Sequence, residues 1–292
     1  MRYAITHATR FQYAFPVRFA RCNLRLKPID WDGQRLEDHR LRIDPAAAEE
    51  PGWSNGYPVN VSRIVIDKPS TELLIESHAH VLVDRVTPVP AAGDPSVSAA
   101  GRLARDAQDW GGFAPGNYLY PSPLIAAFPE IAAWCALELR PERGVIEAGL
   151  ALARAIQAGF HYDGSATQLD TSPAEAFARR SGVCQDFAQI MISGARSAGL
   201  AAAYVSGYLR TIPPAGQERL VGADATHAWV LIWCGPERSW IGFDPTNGVT
   251  MGADHIVTGV GRDYGDVAPI DGIFLGRDGQ EIDVAVDVEP LG

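Results

Sequence analysis

From residue 1 to about 85 the chain alternates apolar and polar positions with period two, as in YAITHATRFQYAF, RLEDHRLRID, VNVSRIVID and TELLIESHAHVLV. Successive strand side chains point to opposite faces, so this pattern predicts strands with one buried face, and the Gly, Pro and Asn between runs predict antiparallel connections. Trp53-Ser54-Asn55-Gly56-Tyr57 is expected to turn tightly, because Asn and Gly tolerate positive φ. An N-terminal β-sandwich-like assembly follows. The pattern then changes: TPVPAAGDPSVSAAG, residues 87 to 101, is rich in Pro, Ala, Gly and Ser and reads as a linker or exposed crossing. Beyond it, apolar positions recur at helical spacing over 129–138 and 142–158. Pro141 is expected in the first turn of the second helix and Gly159 at its C-terminal stop.

Ser172-Pro173-Ala174-Glu175 predicts a capped start for a short helix, which Ser181-Gly182 breaks. The next helix opens at Cys184 in CQDFAQIMISGARSAGL, with Phe187, Ile190, Met191, Gly194 and Ala198 along one face. Strand-like runs AAAYVSGYLR, HAWVLIW and SWIGFDP follow, and EIDVAVDVEP alternates again near the end. Helices followed by a run of strands predict an α+β fold. The expected organisation is a β-rich domain over 1–90, a linker over 91–101, a core over 102–262 and an extension over 263–292 whose strand pairs back onto a sheet.

Composition narrows the function classes. With 292 residues, 47% hydrophobic and 21% charged, the chain can bury a substantial core. A formal net charge of -10 without a basic stripe argues against nucleic acid or an anionic membrane as partner. The opening MRYAITHATRFQYAF is too polar and too finely alternating for a signal peptide, and no run reaches the roughly 18 apolar residues that span a bilayer. A cytoplasmic location is expected. Cys22, Cys135, Cys184 and Cys234 form no CxxC pair, which argues against a disulfide framework or structural zinc site.

Chemistry concentrates in three strings: GVCQDFA around Cys184, THAWV around His227 and FDPTN around Asp244. Alone, each has a plainer reading: a packing cysteine, a hydrogen-bonded histidine, a turn-starting aspartate. Together they supply a thiol at a helix start, where unpaired N–H groups favour a thiolate, an imidazole to take its proton and a carboxylate to orient the ring. Gly182 is expected to let the backbone approach a substrate, and the Cys184 N–H to serve as an oxyanion donor. Tyr162, Gln185 and Trp229 are candidate cleft residues, Asp186 a structural acceptor in the first helical turn, and Asn247 a support for Asp244. The segments 111–123 and 211–224 are candidate cleft loops. His78 and His80 share a strand face with a spacing that metal sites use, yet no third ligand is near, so an exposed face is the expectation. A zinc site from Cys184, His227 and Asp244 is the formal alternative to nucleophilic chemistry.

These strings, separated by 43 and 17 residues, resemble the core motifs of the transglutaminase-like superfamily of papain-related cysteine enzymes. The YAITHATRFQYAFPV opening and GRDYGDVAPIDG at 261–272 resemble its bacterial branch with a β-rich N-terminal region. The resemblance implies a papain-like, transglutaminase-like core with the nucleophile helix packed on an antiparallel sheet. It implies Cys184 as nucleophile, His227 as base and acid, Asp244 as orienting carboxylate, and no metal or cofactor. The implied partner is a protein or peptide substrate attacked through a thioester; the triad does not choose the acceptor, and the expected cytoplasmic bacterial character without calcium-loop patterns such as DxDxDG favours hydrolysis over amine transfer. A non-catalytic scaffold is the alternative of another class.

Overall fold

The computed structural model describes all residues except Trp110, Ser165, 167–170, 212–224, 277–278 and Gly292. Most of the candidate loop 211–224 therefore lies outside the described residues. The alternating N-terminal segment forms β1 (Arg2–Val17), β2 (Phe19–Leu24), β3 (Gln34–Asp44), β4 (Ala48–Pro51), β5 (Ser62–Ile66) and β6 (Ser70–Val83). Period two reappears as burial: Tyr3, Ile5, His7, Thr9 and Phe11 of β1 face inward, as do Leu73, Ile75, Ser77, Ala79, Val81 and Val83 of β6. A slip of one residue would expose the whole set. The predicted turn has Asn55 and Gly56 at φ 53° and 82°, and the Tyr57 N–H donates to the Ser54 carbonyl at 3.0 Å.

Next come α1 (Val97–Asp106), α2 (Pro129–Cys135), α3 (Val145–Gly159), β7 (His161–Tyr162), α4 (Pro173–Arg179), β8 (Ser181–Gly182) and α5 (Cys184–Ser197). Two details depart from expectation. α1 starts inside the anticipated linker, where the Ser96 hydroxyl accepts from the Ala99 N–H at 3.3 Å. α3 starts at Val145 because Pro141 belongs to the preceding turn, its carbonyl taken by the Ser98 N–H at 3.0 Å. α3 stops at Gly159, as expected, and the chain leaves through an extended Phe160. Ser172 also caps α4 as predicted: its hydroxyl accepts from the Glu175 N–H while the Glu175 carboxylate accepts from the Ser172 N–H.

The chain continues through β9 (Ala202–Leu209), β10 (Ala225–Trp233), β11 (Trp240–Asp244), β12 (Val249–Thr250), β13 (His255–Gly261), α6 (Tyr264–Val267), β14 (Ile270–Leu275) and β15 (Gln280–Pro290). Among the described residues, the sandwich sheets have orders β15-β1-β6-β3 and β14-β2-β5-β4, and the central sheet β12-β11-β10-β9-β13. Both C-terminal strands thus join the N-terminal sandwich, antiparallel to β1 and β2. α5 packs on the central sheet, with Phe187, Ile190 and Met191 in one apolar cluster with Ala228, Val230 and Ile232. The result is α+β, a helix on an antiparallel sheet beside a β-sandwich. Among the described residues no helix is long and apolar enough to cross a membrane.

Two devices fix this core. Arg196, 8% exposed near the C-terminus of α5, donates to the carbonyls of Tyr118, Ala202 and Arg262 and to the Ser122 hydroxyl. A cation there also complements the helix dipole. The edge strand β13 is covered by the N-terminal region. Gln34 brackets Val257, donating to its carbonyl at 2.9 Å and accepting from its N–H at 2.8 Å, and Val59 bridges to Gly259. An edge so occupied cannot pair with a stray strand.

Candidate functional site

α4 ends at Arg180 in the left-handed region, φ 54°, and the chain then runs parallel to β7. The His161 N–H donates to the Arg180 carbonyl at 2.8 Å and the Asp163 N–H to the Gly182 carbonyl at 3.0 Å. Val183 is the N-cap of α5, so Cys184 is its first helical residue, where N–H groups lack intrahelical partners and the dipole favours negative charge. Asp186 folds back to accept the Val183 N–H at 2.8 Å, which satisfies one of those donors. A Cβ on Gly182 would lie 2.6 Å from the same Asp186 carboxylate oxygen. Glycine there leaves room for the Asp186 carboxylate.

Cys184 is half-buried, whereas Cys22, Cys135 and Cys234 are buried. Burial pushes the Cys22 thiol up to about 11 and that of Cys135 to about 12, and raises Cys234 further. Those three behave as small apolar side chains.

β10 and β11 pair antiparallel from Val230↔Phe243 to Trp233↔Trp240, which brings His227 and Asp244 to the same end of the hairpin. His227 Nε2 lies 2.9 Å from Asp244 Oδ2. Asp244 is fully buried and saturated with donors: the Thr246 and Asn247 N–H groups reach Oδ1 at 2.9 and 3.1 Å, and Asn247 Nδ2 reaches Oδ2 at 2.7 Å. Burial works to raise this carboxyl, but the hydrogen bonds from His227 and His255 prevail and hold it far below the usual carboxylate range. Burial disfavours the His227 imidazolium, yet hydrogen bonds to Asp244 and Cys184 outweigh that and lift the ring to about 10. With Nε2 committed to Asp244, Nδ1 is the nitrogen left for the thiol. Asp244 is thus hydrogen-bonded to one face of the His227 ring, and Cys184 acts on the same ring.

His255 belongs to the same cluster and escaped the sequence reading. Its Nε2 lies 3.1 Å from Asp244 Oδ2, although β13 is three strands from β11. Three spacings of about 4.8 Å would part them by roughly 14 Å in a flat sheet, so the sheet must curl to close the gap. The one available signal was HIVTGVG, a β-branched run directly after the histidine. Tyr204 on β9, 2% exposed, was also missed; burial first and then the charge of Cys184 push its phenol well up.

Ligand-type atoms of His227, Asp244 and His255 lie within 4.8 Å of one another, a grouping a metal could use. The donor set argues otherwise. The Gly252 N–H donates to His255 Nδ1 at 3.2 Å, so Nδ1 is unprotonated and the proton sits on Nε2, the atom a metal would need. Asp244 Oδ2 already accepts three hydrogen bonds.

The supporting candidates divide. Tyr162 is 54% exposed, packs edge-on to Phe187 at 6.3 Å, and its phenol is raised by burial and by Cys184, so it stands at the open rim beside the thiol. Gln185 is 8% exposed in the first turn of α5. Trp229 cannot wall a cleft, because it is fully buried: it lies under the site, 6.0 Å from the His227 ring and 5.2 Å from that of His255, with its N–H on Met251 Sδ. The candidate loop 111–123 lies elsewhere, Phe113 stacking on Trp240 at the far end of the β10–β11 hairpin. His78 and His80 are exposed on β6, and His78 meets Thr6 at 3.3 Å.

Comparison with known proteins agrees with this architecture. A family model described as the bacterial transglutaminase-like N-terminal region matches residues 3–82, and that of the transglutaminase-like superfamily matches residues 135–245. An uncharacterized protein of Mycobacterium tuberculosis is 37% identical over 305 residues, covering 99% of this chain and 93% of its own. A protein-glutamine gamma-glutamyltransferase of Pseudomonas aeruginosa is 40% identical over 82 residues, 28% of this chain and 12% of that one. Among solved structures, a candidate cysteine protease of Cytophaga hutchinsonii has a TM-score of 0.73 at 19% identity, covering 100% of this chain and 92% of its own.

Proposed function

Since the chain belongs to the transglutaminase-like superfamily and carries the bacterial transglutaminase-like N-terminal region, we propose that it is a cysteine-nucleophile acyl-transfer enzyme that hydrolyses an amide bond of a protein or peptide. The observation that carries this is the imidazole of His227 resting by Nε2 on the buried Asp244 carboxylate, with the half-buried Cys184 thiol at a helix start acting on the same ring. His227 takes the Cys184 proton, and the sulfur attacks the substrate carbonyl. The Cys184 N–H stabilises the oxyanion. Collapse of the tetrahedral adduct breaks the C–N bond, and His227 protonates the departing amine, leaving a thioester. Water, deprotonated by His227, then releases the acid and restores the thiol. Partial exposure of Cys184 and Tyr162 supports water as the acceptor. The four unpaired cysteines suit the reducing cytoplasm.

A second reading, transfer to an amine, draws on the match to the Pseudomonas glutamyltransferase. Both share the first half-reaction, so two assays are needed. Iodoacetamide at neutral pH, read by peptide mass spectrometry, is expected to label Cys184 much faster than a model thiol and to lose that advantage in His227→Ala. Equal rates would leave a non-catalytic scaffold. Faster incorporation of a fluorescent amine into casein than hydrolysis of a peptide and amide panel would make the enzyme a transferase.

A further inference from the structure

Asp244 Oδ2 serves two imidazoles at once, His227 at 2.9 Å and His255 at 3.1 Å. The second ring is held from three sides. The Gly252 N–H occupies its Nδ1, which directs the Nε2 proton at Asp244, and Trp229 packs edge-on at 5.2 Å. Arg85, which follows β6 in the N-terminal region, donates through Nη1 to the carbonyls of Gly252 and His255 at 3.0 and 2.9 Å. A donor on the oxygen that also faces His227 divides the negative charge there and so weakens its pull on the His227 proton. The titratable groups facing His227 are Asp244 from β11, Cys184 from α5 and His255 from β13, with Tyr162 and Tyr204 flanking the thiol.

We propose that His255 is a positioning residue: it fixes the Asp244 carboxylate and shares its charge, setting how firmly His227 holds its proton, and the N-terminal region acts on the site through it by way of Arg85. Its meaning for turnover rests on the acyl-transfer reading, since a base that cannot release its proton cannot protonate a leaving amine. The coupling itself does not depend on turnover. It also gives the N-terminal sandwich a role at the site, because the segment carrying His255 is clamped by residues of that region.

The test is nitrogen-15 NMR of histidine-labelled full-length protein in a Cys184→Ala background, where no thiolate holds the imidazolium. His255→Phe keeps ring volume and removes the donor. Its His227 midpoint is expected to rise by about one pH unit, tenfold in proton affinity. His255→Gln, whose amide N–H can serve Oδ2, is expected to restore part of the change, and Arg85→Met to give a smaller rise. The unmutated His255 is expected to show the Nε2–H tautomer. A midpoint moved by less than about 0.2 unit in folded His255→Phe overturns the proposal; so does an Nδ1–H tautomer. Should His255→Phe fail to fold, the tautomer and Arg85→Met decide. Iodoacetamide labelling of parallel samples that retain Cys184 separates the two ideas. A shifted midpoint with an unreactive Cys184 removes the acyl-transfer reading alone, and a reactive Cys184 with an unshifted midpoint removes the coupling alone.

Discussion

Asp244→Asn removes one charge from a fully buried carboxylate that accepts five hydrogen bonds, from His227, His255, the Asn247 side chain and the Thr246 and Asn247 amides. An asparagine that keeps its oxygen on the two backbone amides must aim its NH2 group at three donors. His227 can answer only by turning Nε2 into an acceptor, which puts its proton on Nδ1 and disables that nitrogen as a base toward Cys184. Turnover in the proposed acyl transfer is then expected to fall by about a thousandfold or more, as in Ser-His-Asp triads held in the wrong tautomer.

Stability carries a distinctive pH signature. His227 is lifted from 6.5 to about 10, so its contribution is complete below about pH 6.5 and is lost as pH rises through about 10. Asp244 is held low, so its contribution exists above about pH 4 and is lost as pH falls. Both describe one interaction and count once. Lifting the ring this far corresponds to roughly 5 kcal/mol, falling to roughly 1 kcal/mol at about pH 9.5. Urea unfolding of Cys184→Ala with and without Asp244→Asn isolates the Asp244 share. The stability gap between the two is expected to shrink by a few kcal/mol from about pH 5.5 to about pH 9.5. A gap constant within about 1 kcal/mol over that range would refute the ion-pair reasoning.

Arg196→Met leaves several buried acceptors without their donor and is expected to cost about 2–4 kcal/mol in urea unfolding. Gly182→Ala drives a methyl into the Asp186 carboxylate. Iodoacetamide labelling of Cys184 is expected to slow in that variant, and an unchanged rate would show that the start of α5 tolerates the methyl. Ser172→Ala breaks the capping box of α4 at a cost of about 1 kcal/mol, with faster amide exchange in the first turn of α4 as the local readout.

Local chemistry was legible in the chain. Period two specified β1 and β6 and their inward faces, Ser172 with Glu175 specified the start of α4, and two apolar runs joined by a short connection specified the hairpin that brings His227 to Asp244. These succeed because propensity, periodicity and capping act over a few residues and need no knowledge of what packs where. Misreadings at Pro141 and the linker concern element ends, where one hydrogen bond decides the boundary. What tertiary structure alone decided is non-local. The two C-terminal strands chose β1 and β2 of the first sandwich. Gly182 answers to Asp186, and Trp229 went under the site instead of beside it. Above all, the sheet curled until an edge-strand histidine met a carboxylate three strands away, and Arg85 and Gln34 closed over that edge. Sequence by itself determined the chemical groups and the elements that carry them. Which groups share an oxygen was decided by curvature and docking, because those depend on how whole layers pack.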